Sequence, residues 1–267
     1  MRNKFEFFTA KIIYLFLAVI LISCNSCFLN KKINKDSNEI KGINLFTKLD
    51  FVKSDNGKTF TVNDSVSIFY YKDLVLYRIP VPFDSMKAIS KTKDTVTNQY
   101  VSTKINHKYF LFRQGNKIGL QYDSLNFSPH QFEVDSFLKF NSFSNAKFYD
   151  KTNDSLYKEF FDNNSVLTRI YVPKVKYDPS YNDTTKMFFS KSLNDIDFSF
   201  SSDLDSQLKM KLFRVEAIFN PIPKGLYSFA VPKRTFLFEM KANKESDLQM
   251  EKKYFRLFQS QMQRKRS

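Results

Sequence analysis

The chain has 267 residues, with 42 Lys or Arg against 27 Asp or Glu and a net charge of +15. It holds 31 Phe and 14 Tyr, but no Trp, two Cys and only 5 Gly. That is enough chain for a sizeable core. It excludes a disulfide-stapled scaffold and any glycine-rich phosphate cradle, since neither G-x-G-x-x-G nor G-x-x-x-x-G-K-[ST] occurs.

The first stretch with clear meaning is Ile12–Cys24, IIYLFLAVILISC. Arg2, Lys4 and Lys11 form a basic region ahead of it, offset by Glu6. The uncharged run Ile12–Ile22 covers about half of a hydrocarbon core at ~1.5 Å per residue, the length of a signal-peptide apolar segment rather than of a span. It ends in Leu21-Ile22-Ser23-Cys24. These four residues resemble the lipobox of bacterial lipoprotein precursors, and the resemblance covers only the first two dozen residues. It implies diacylglyceryl transfer to the Cys24 sulfur, cleavage between Ser23 and Cys24, and acylation (palmitate-type chains) of the new amino group. Cys27 lacks the preceding aliphatic residue. The C-x-x-C of Cys24 and Cys27 is a weak redox or metal signal, because no second Cys pair exists.

Cleavage leaves 267 − 23 = 244 residues with a charge of about +13, since residues 1–23 carry three basic and one acidic side chain. The basic residues are scattered among Asp and Glu. Nucleic-acid binding is therefore not expected, whereas contact with an anionic membrane face is compatible. Residues 24–44 read as a flexible tether, with Lys31, Lys32 and Lys35 available to headgroups.

From Leu45 to Lys241 the pattern has period two, marking half-buried strands of an antiparallel sheet. Ile118, Leu120 and Tyr122 share one face, as do Ile196, Phe198 and Phe200, and Phe236, Phe238 and Met240. Ser65–Tyr71, Leu74–Ile79, Tyr100–Ile105 and Val166–Val172 are further strands. Lys108–Arg113 and Lys117–Asp123 form a hairpin through Gln114-Gly115-Asn116. Tyr109-Phe110-Leu111-Phe112 is apolar on both faces, so a second layer must cover it or leave it sticky. Met210–Phe219 changes phase, which a β-bulge near Leu212 reconciles. Asp84–Ser90 and Ser155–Phe161 read as short helices begun by Asp or Ser caps.

After Lys241 the spacing becomes helical. Ser246 and Gln249 fit a capping box, and Leu248, Phe255, Phe258 and Met262, widened by Met250, Tyr254 and Leu257, form an apolar stripe on a helix over 246–263. Arg264-Lys265-Arg266 follow as a basic tail that suits the helix dipole.

Chemistry-bearing candidates are few. His107 and His130 are the only imidazoles, and each reads as a surface or hydrogen-bonded side chain. There is no H-E-x-x-H and no G-x-S-x-G. Asp178–Asn182 mimics the start of a calcium loop. It then fails, with Asp183 where Gly is needed and Phe189 where the bidentate Glu belongs. Asp195/Asp197 and Asp203/Asp205 would each share a strand face.

The expectation is a β-rich α+β fold: a mainly antiparallel sheet, as an open half-barrel or sandwich, with a C-terminal amphipathic helix. Its segments are a signal peptide 1–23, a tether 24–44, a β-rich domain 45–242, and the helix with its tail 243–267. The expected role is a membrane-anchored, non-catalytic binding or accessory module of the cell envelope. No cofactor and no metal are assigned. An envelope protein or a lipid is the expected partner. A carrier of lipid or lipoprotein, and a carboxylate-based envelope hydrolase, are the alternatives.

Overall fold

A computed structural model of the chain describes residues 39–53, 57–91, 96–125, 128–140, 152–175, 181–225, 229–245 and 247–264. Cys24, Cys27, Ser23 and the lysines of the tether lie outside them. No described helix is long and apolar enough to cross a membrane.

Among the described residues the fold is a single antiparallel sheet of eleven strands: β1 (Lys41–Val52), β2 (Thr59–Tyr71), β3 (Leu74–Lys91), β4 (Val96–Arg113), β5 (Ile118–Tyr122), β6 (His130–Glu133), β7 (Asp154–Phe161), β8 (Leu167–Pro173), β9 (Thr184–Ser190), β10 (Lys211–Phe219) and β11 (Arg234–Ala242). In space the order is β6-β5-β4-β3-β2-β1-β11-β10-β9-β8-β7. The chain thus walks outward from β1 to β6, resumes at the opposite edge with β7, and walks inward until β11 pairs with β1. The β-rich α+β reading holds, as one open sheet rather than a two-sheet sandwich.

Alternation assigns the two faces. Ile43 and Leu45, Val66 and Ile68, Val75 and Tyr77, Phe110 and Phe112, Met187 and Phe189, and Met240 point to one side. Helix α1 (Val134–Phe140) covers part of it: Phe137 stacks on Phe110 with centroids 3.9 Å apart and meets Tyr77 edge-on at 5.2 Å. The β9–β10 connection covers more, burying Phe198, Phe200 and, from α2 (Ser202–Leu208), Leu204. On the other side, Phe69, Leu74, Leu76, Tyr109, Leu111, Leu120 and Tyr122 pack under helix α3 (Gln249–Arg264) through Tyr254, Phe255 and Phe258. Both faces of Tyr109–Phe112 are therefore covered.

Several expectations are corrected. β1 begins at Lys41, so the tether cannot run to residue 44: Asn44 accepts from Ser67 at 2.8 Å and from Asn243 at 3.2 Å as an outer-face strand residue. Asp84–Ser90 and Ser155–Phe161 are strand, not helix. Cross-strand pairing overrides the caps, and Asp84 accepts from the Thr103 hydroxyl at 2.6 Å instead of capping. Ile196–Ser201 is a loop, because Ser199 donates to Asp205 at 2.6 Å and the Phe198 carbonyl accepts from Lys211 at 2.9 Å. Helix α3 begins at Gln249, whose N–H donates to Asp247 at 3.1 Å; Ser246 lies outside the described residues. The bulge is found between Leu212 and Arg214.

Gly119 explains the fit of β5. A Cβ there would sit 2.4 Å from Phe110 Cζ, so only a bare backbone lets Phe110 lie across the strand toward Phe137. Gly119→Ala should destabilise the fold by about 1–3 kcal/mol. Urea titration checks this as a lowered midpoint with an unchanged slope.

Candidate functional site

The row Ser67–Arg78–Tyr109–Tyr122 is where the sheet divides. Arg78 is the last β3 residue paired with β2, opposite Ser67. Tyr109 is the last β4 residue paired with β5, opposite Tyr122. Past this row β3 and β4 pair only with each other, out to Lys91 and Val96, as a two-stranded arm. Sequence accounts for the break. Pro80 and Pro82, two apart, remove two donors from the same edge of β3, so the β2 ladder cannot continue. The arm carries Phe83 at 60%, Val101 at 58% and Ile105 at 63% exposure.

Two features sit at the root of the arm. The first is polar, on the α3 side. Arg78 Nη1 donates to Glu251 Oε1 at 2.9 Å, and Nη2 reaches both oxygens of Glu245 at 2.8 and 3.0 Å and Ser67 Oγ at 3.3 Å. The guanidinium also lies 5.1 Å over the Phe69 ring. Glu251, in the first turn of α3, is fully buried, while Glu245 is half exposed. Burial opposes the charge on Arg78, but the Glu245 hydrogen bond and the two carboxylates outweigh it and raise the pKa. The same Arg78 hydrogen bond lowers that of Glu245. His107 lies beside this group. Burial, then the Arg78 charge, push its pKa below the ordinary value, so it is held neutral. Burial first, then Glu251, raise that of Tyr109, which stacks on Tyr254 at 4.0 Å.

The second feature is a pocket of about 320 Å³ on the α1 side, where β4 runs on past the end of β5. Ile79, Phe110, Phe132 and Phe137 make its apolar wall, and Lys108, Tyr109 and Gln121 complete its lining. Lys108 Nζ is 3.9 Å from Asp123 Oδ1. The volume is at the small end of the ~300–1,000 Å³ seen for ligand pockets. It suits one aromatic or aliphatic side chain better than an acyl lipid.

His107 is thus at the arm root and His130 begins the edge strand β6, so the two imidazoles are in different places. The carboxylate pairs are not strand-face pairs. Asp195 is in a turn, 3.7 Å from Lys41, and Asp203 and Asp205 are in α2, where residues two apart diverge by about 200°. Asp205 is occupied within the fold: it accepts from Leu212 N at 2.7 Å and from buried Lys211 at 3.1 Å. In the calcium-like stretch, residues 178–180 lie outside the described residues. Asn182 donates to Thr185 at 2.6 Å, Asp183 accepts from Asn220 N at 2.7 Å, and Phe189 is core. Among the described residues no three His, Cys, Asp or Glu side chains gather as metal ligands. The arm itself was missed in the sequence. Its signal was Pro-x-Pro inside a strand followed by alternation that outruns the neighbouring strands.

No protein-family model matches the chain, and no curated protein is significantly similar to it.

Arg78→Leu should cost about 3–5 kcal/mol, because Glu251 is left buried without its cation; calorimetry and urea melts of the variant measure it. His107 gives a pH signature. Its contribution is fully present above the ordinary value of about 6.5 and is lost as pH falls through the depressed folded value, where the unfolded chain takes up the proton first. His107→Gln should therefore flatten the decline of Tm below about pH 6.5, and the wild type should show the steeper fall.

Proposed function

We propose that the chain is an exported lipoprotein, acylated at Cys24 and cleaved after Ser23, whose folded part is a non-catalytic binding or accessory module at the cell envelope. The anchor rests on the Leu21–Cys24 lipobox. The binding role rests on one structural observation: a two-stranded arm that leaves the sheet at Arg78 and Tyr109 and holds Phe83, Val101 and Ile105 in solvent. Apolar side chains displayed on a projecting ribbon contribute little to the fold that carries them, and are what a partner surface would bury.

The apolar-ligand carrier is a weaker reading. The sheet face that a carrier would keep open is packed by Phe137, Phe198, Phe200 and Leu204. The hydrolase reading needs two facing carboxylates in a cleft. Glu245 and Glu251, which meet at the root of the arm, both bind the same guanidinium.

The test is made on membranes of the native host. The mature N-terminal peptide should begin at Cys24 and carry the mass of acyl chains, and Cys24→Ala should abolish both. A photo-crosslinking residue placed at Phe83 should trap one discrete partner. A retained Met1 or an unmodified Cys24 would remove the anchor. Turnover of an envelope substrate lost on His107→Gln would replace the binding module with an enzyme.

A further inference from the structure

Resting on the reading of the arm as a binding element, the edge of β4 that no described strand pairs with specifies how a partner is held. In the β3–β4 ladder Pro80 stands opposite His107 and Pro82 opposite Ile105. A proline cannot donate, so these are the pairs whose backbone groups turn away from the shared ladder. On β4 the same parity continues into Tyr109 and Leu111, which do pair with β5. The backbone groups of Ile105 and His107 therefore point to the outer edge of β4, along the line that β5 vacates after Tyr122. No described strand pairs with Lys104–Lys108 on that side.

The outer edges of the sheet are protected by contrast. β7 carries a register shift between Leu156 and Lys158, and β6 is four residues long. A bulge, a lysine and shortness are the usual devices against strand addition. On the arm, Pro80 and Pro82 blunt the β3 edge, and only the β4 edge keeps its donors.

The pocket lies at the foot of that edge. A strand added beside Lys104–Lys108 would continue the line of β5 and set one side chain against Phe110, Phe132 and Phe137. Lys104 and Lys108, the latter 3.9 Å from Asp123 in a solvent-exposed pair, stand on the same face of β4 and favour acidic residues on either side of the apolar anchor. About five residues at ~3.4 Å each span the distance.

We propose that the outer edge of β4, Lys104–Lys108, is a strand-addition site for an extended acidic segment of a partner protein, which seats one aromatic or aliphatic side chain in the pocket at Phe110, Phe132 and Phe137. Backbone pairing would provide affinity, and the pocket and the lysines would provide selectivity.

The experiment uses the full chain in detergent and three fluorescein-labelled heptapeptides, read by anisotropy. One alternates glutamate with valine and a central phenylalanine; the second replaces its glutamates with lysine; the third replaces the central residue with proline. The first should bind and the other two should not. Ile105→Pro removes an outward donor without touching the β3 ladder, and should weaken binding about tenfold, the effect of one lost backbone hydrogen bond and its neighbours. Ile105→Ala, which keeps the donor, should bind within about threefold of wild type. Lys104→Glu with Lys108→Glu should transfer preference to the lysine peptide. Unchanged thermal melts of the Ile105 variants show that the arm is intact. Equal binding of all three peptides, no loss in Ile105→Pro, or saturable binding only to vesicles of phosphatidylglycerol would overturn strand addition. A Phe83 crosslink that survives Ile105→Pro would do so while leaving the binding-module reading in place.

Discussion

One guanidinium joins the two layers on which the rest of the structure depends. Arg78 leaves the middle of β3, crosses to the first turn of α3, and holds Glu251 and Glu245 at once. Glu251 is buried and would be costly there without a cation. Its position in the first turn is also the one at which the helix dipole favours a carboxylate. The ion triad thus fixes where α3 starts. The aromatic stripe Tyr254–Phe255–Phe258 then follows onto β2–β5 without further choice. Around it, Asn44, Ser67 and Asn243 form a hydrogen-bonded rim that returns the chain from β11 to the helix.

The same residue marks the limit of the sheet. Up to Arg78 the β3 strand has donors on both edges; beyond it, Pro80 and Pro82 leave one edge without them. A strand with one competent edge can keep one neighbour. β3 keeps β4, which follows it directly through the hairpin, and gives up β2, which continues with β1 down to Thr59. The arm is therefore a consequence of two imino acids and of the local connection. Its root is rigid because Tyr109 stacks on Tyr254 while Phe110 stacks on Phe137, anchoring β4 from both faces.

Much of the fold was legible in the sequence. Although β1, β6 and β9 were not picked out, period-two alternation located β2, β5, β8, β10 and β11 and the inner parts of β3 and β4, and the phase change at Leu212 located a bulge. Both depend on local sequence and on one buried face, which a single chain displays directly. What failed was decided by partners distant in sequence. Ser155–Phe161 carries helix-compatible residues, yet pairing with Leu167–Pro173 makes it strand. Ile196–Ser201 alternates like a strand, yet Lys211 and Asp205 take its polar groups and hold it as a loop. The carboxylate pairs failed with it, since their geometry was inferred from the wrong element. Of the site, the imidazole at 107 was visible. Its setting was not, because Arg78, Glu245 and Glu251 meet only after α3 folds back over 167 and 173 residues of chain.

The strong positive charge takes on a different meaning once these positions are known. Several basic side chains are held by carboxylates of the fold. Lys211 holds the α2 connection to β10. Arg214, Glu216, Glu239 and Lys241 form an ion-pair ladder across β10 and β11, with Arg214 over Phe188 and Lys241 over Phe46. Arg169 pairs with Glu159 and Arg113 with Asp73. Lys104 differs, because it projects from a ribbon that no described strand flanks on its outer side. On that ribbon a few kilocalories of steering and pairing can decide which extended segment stays.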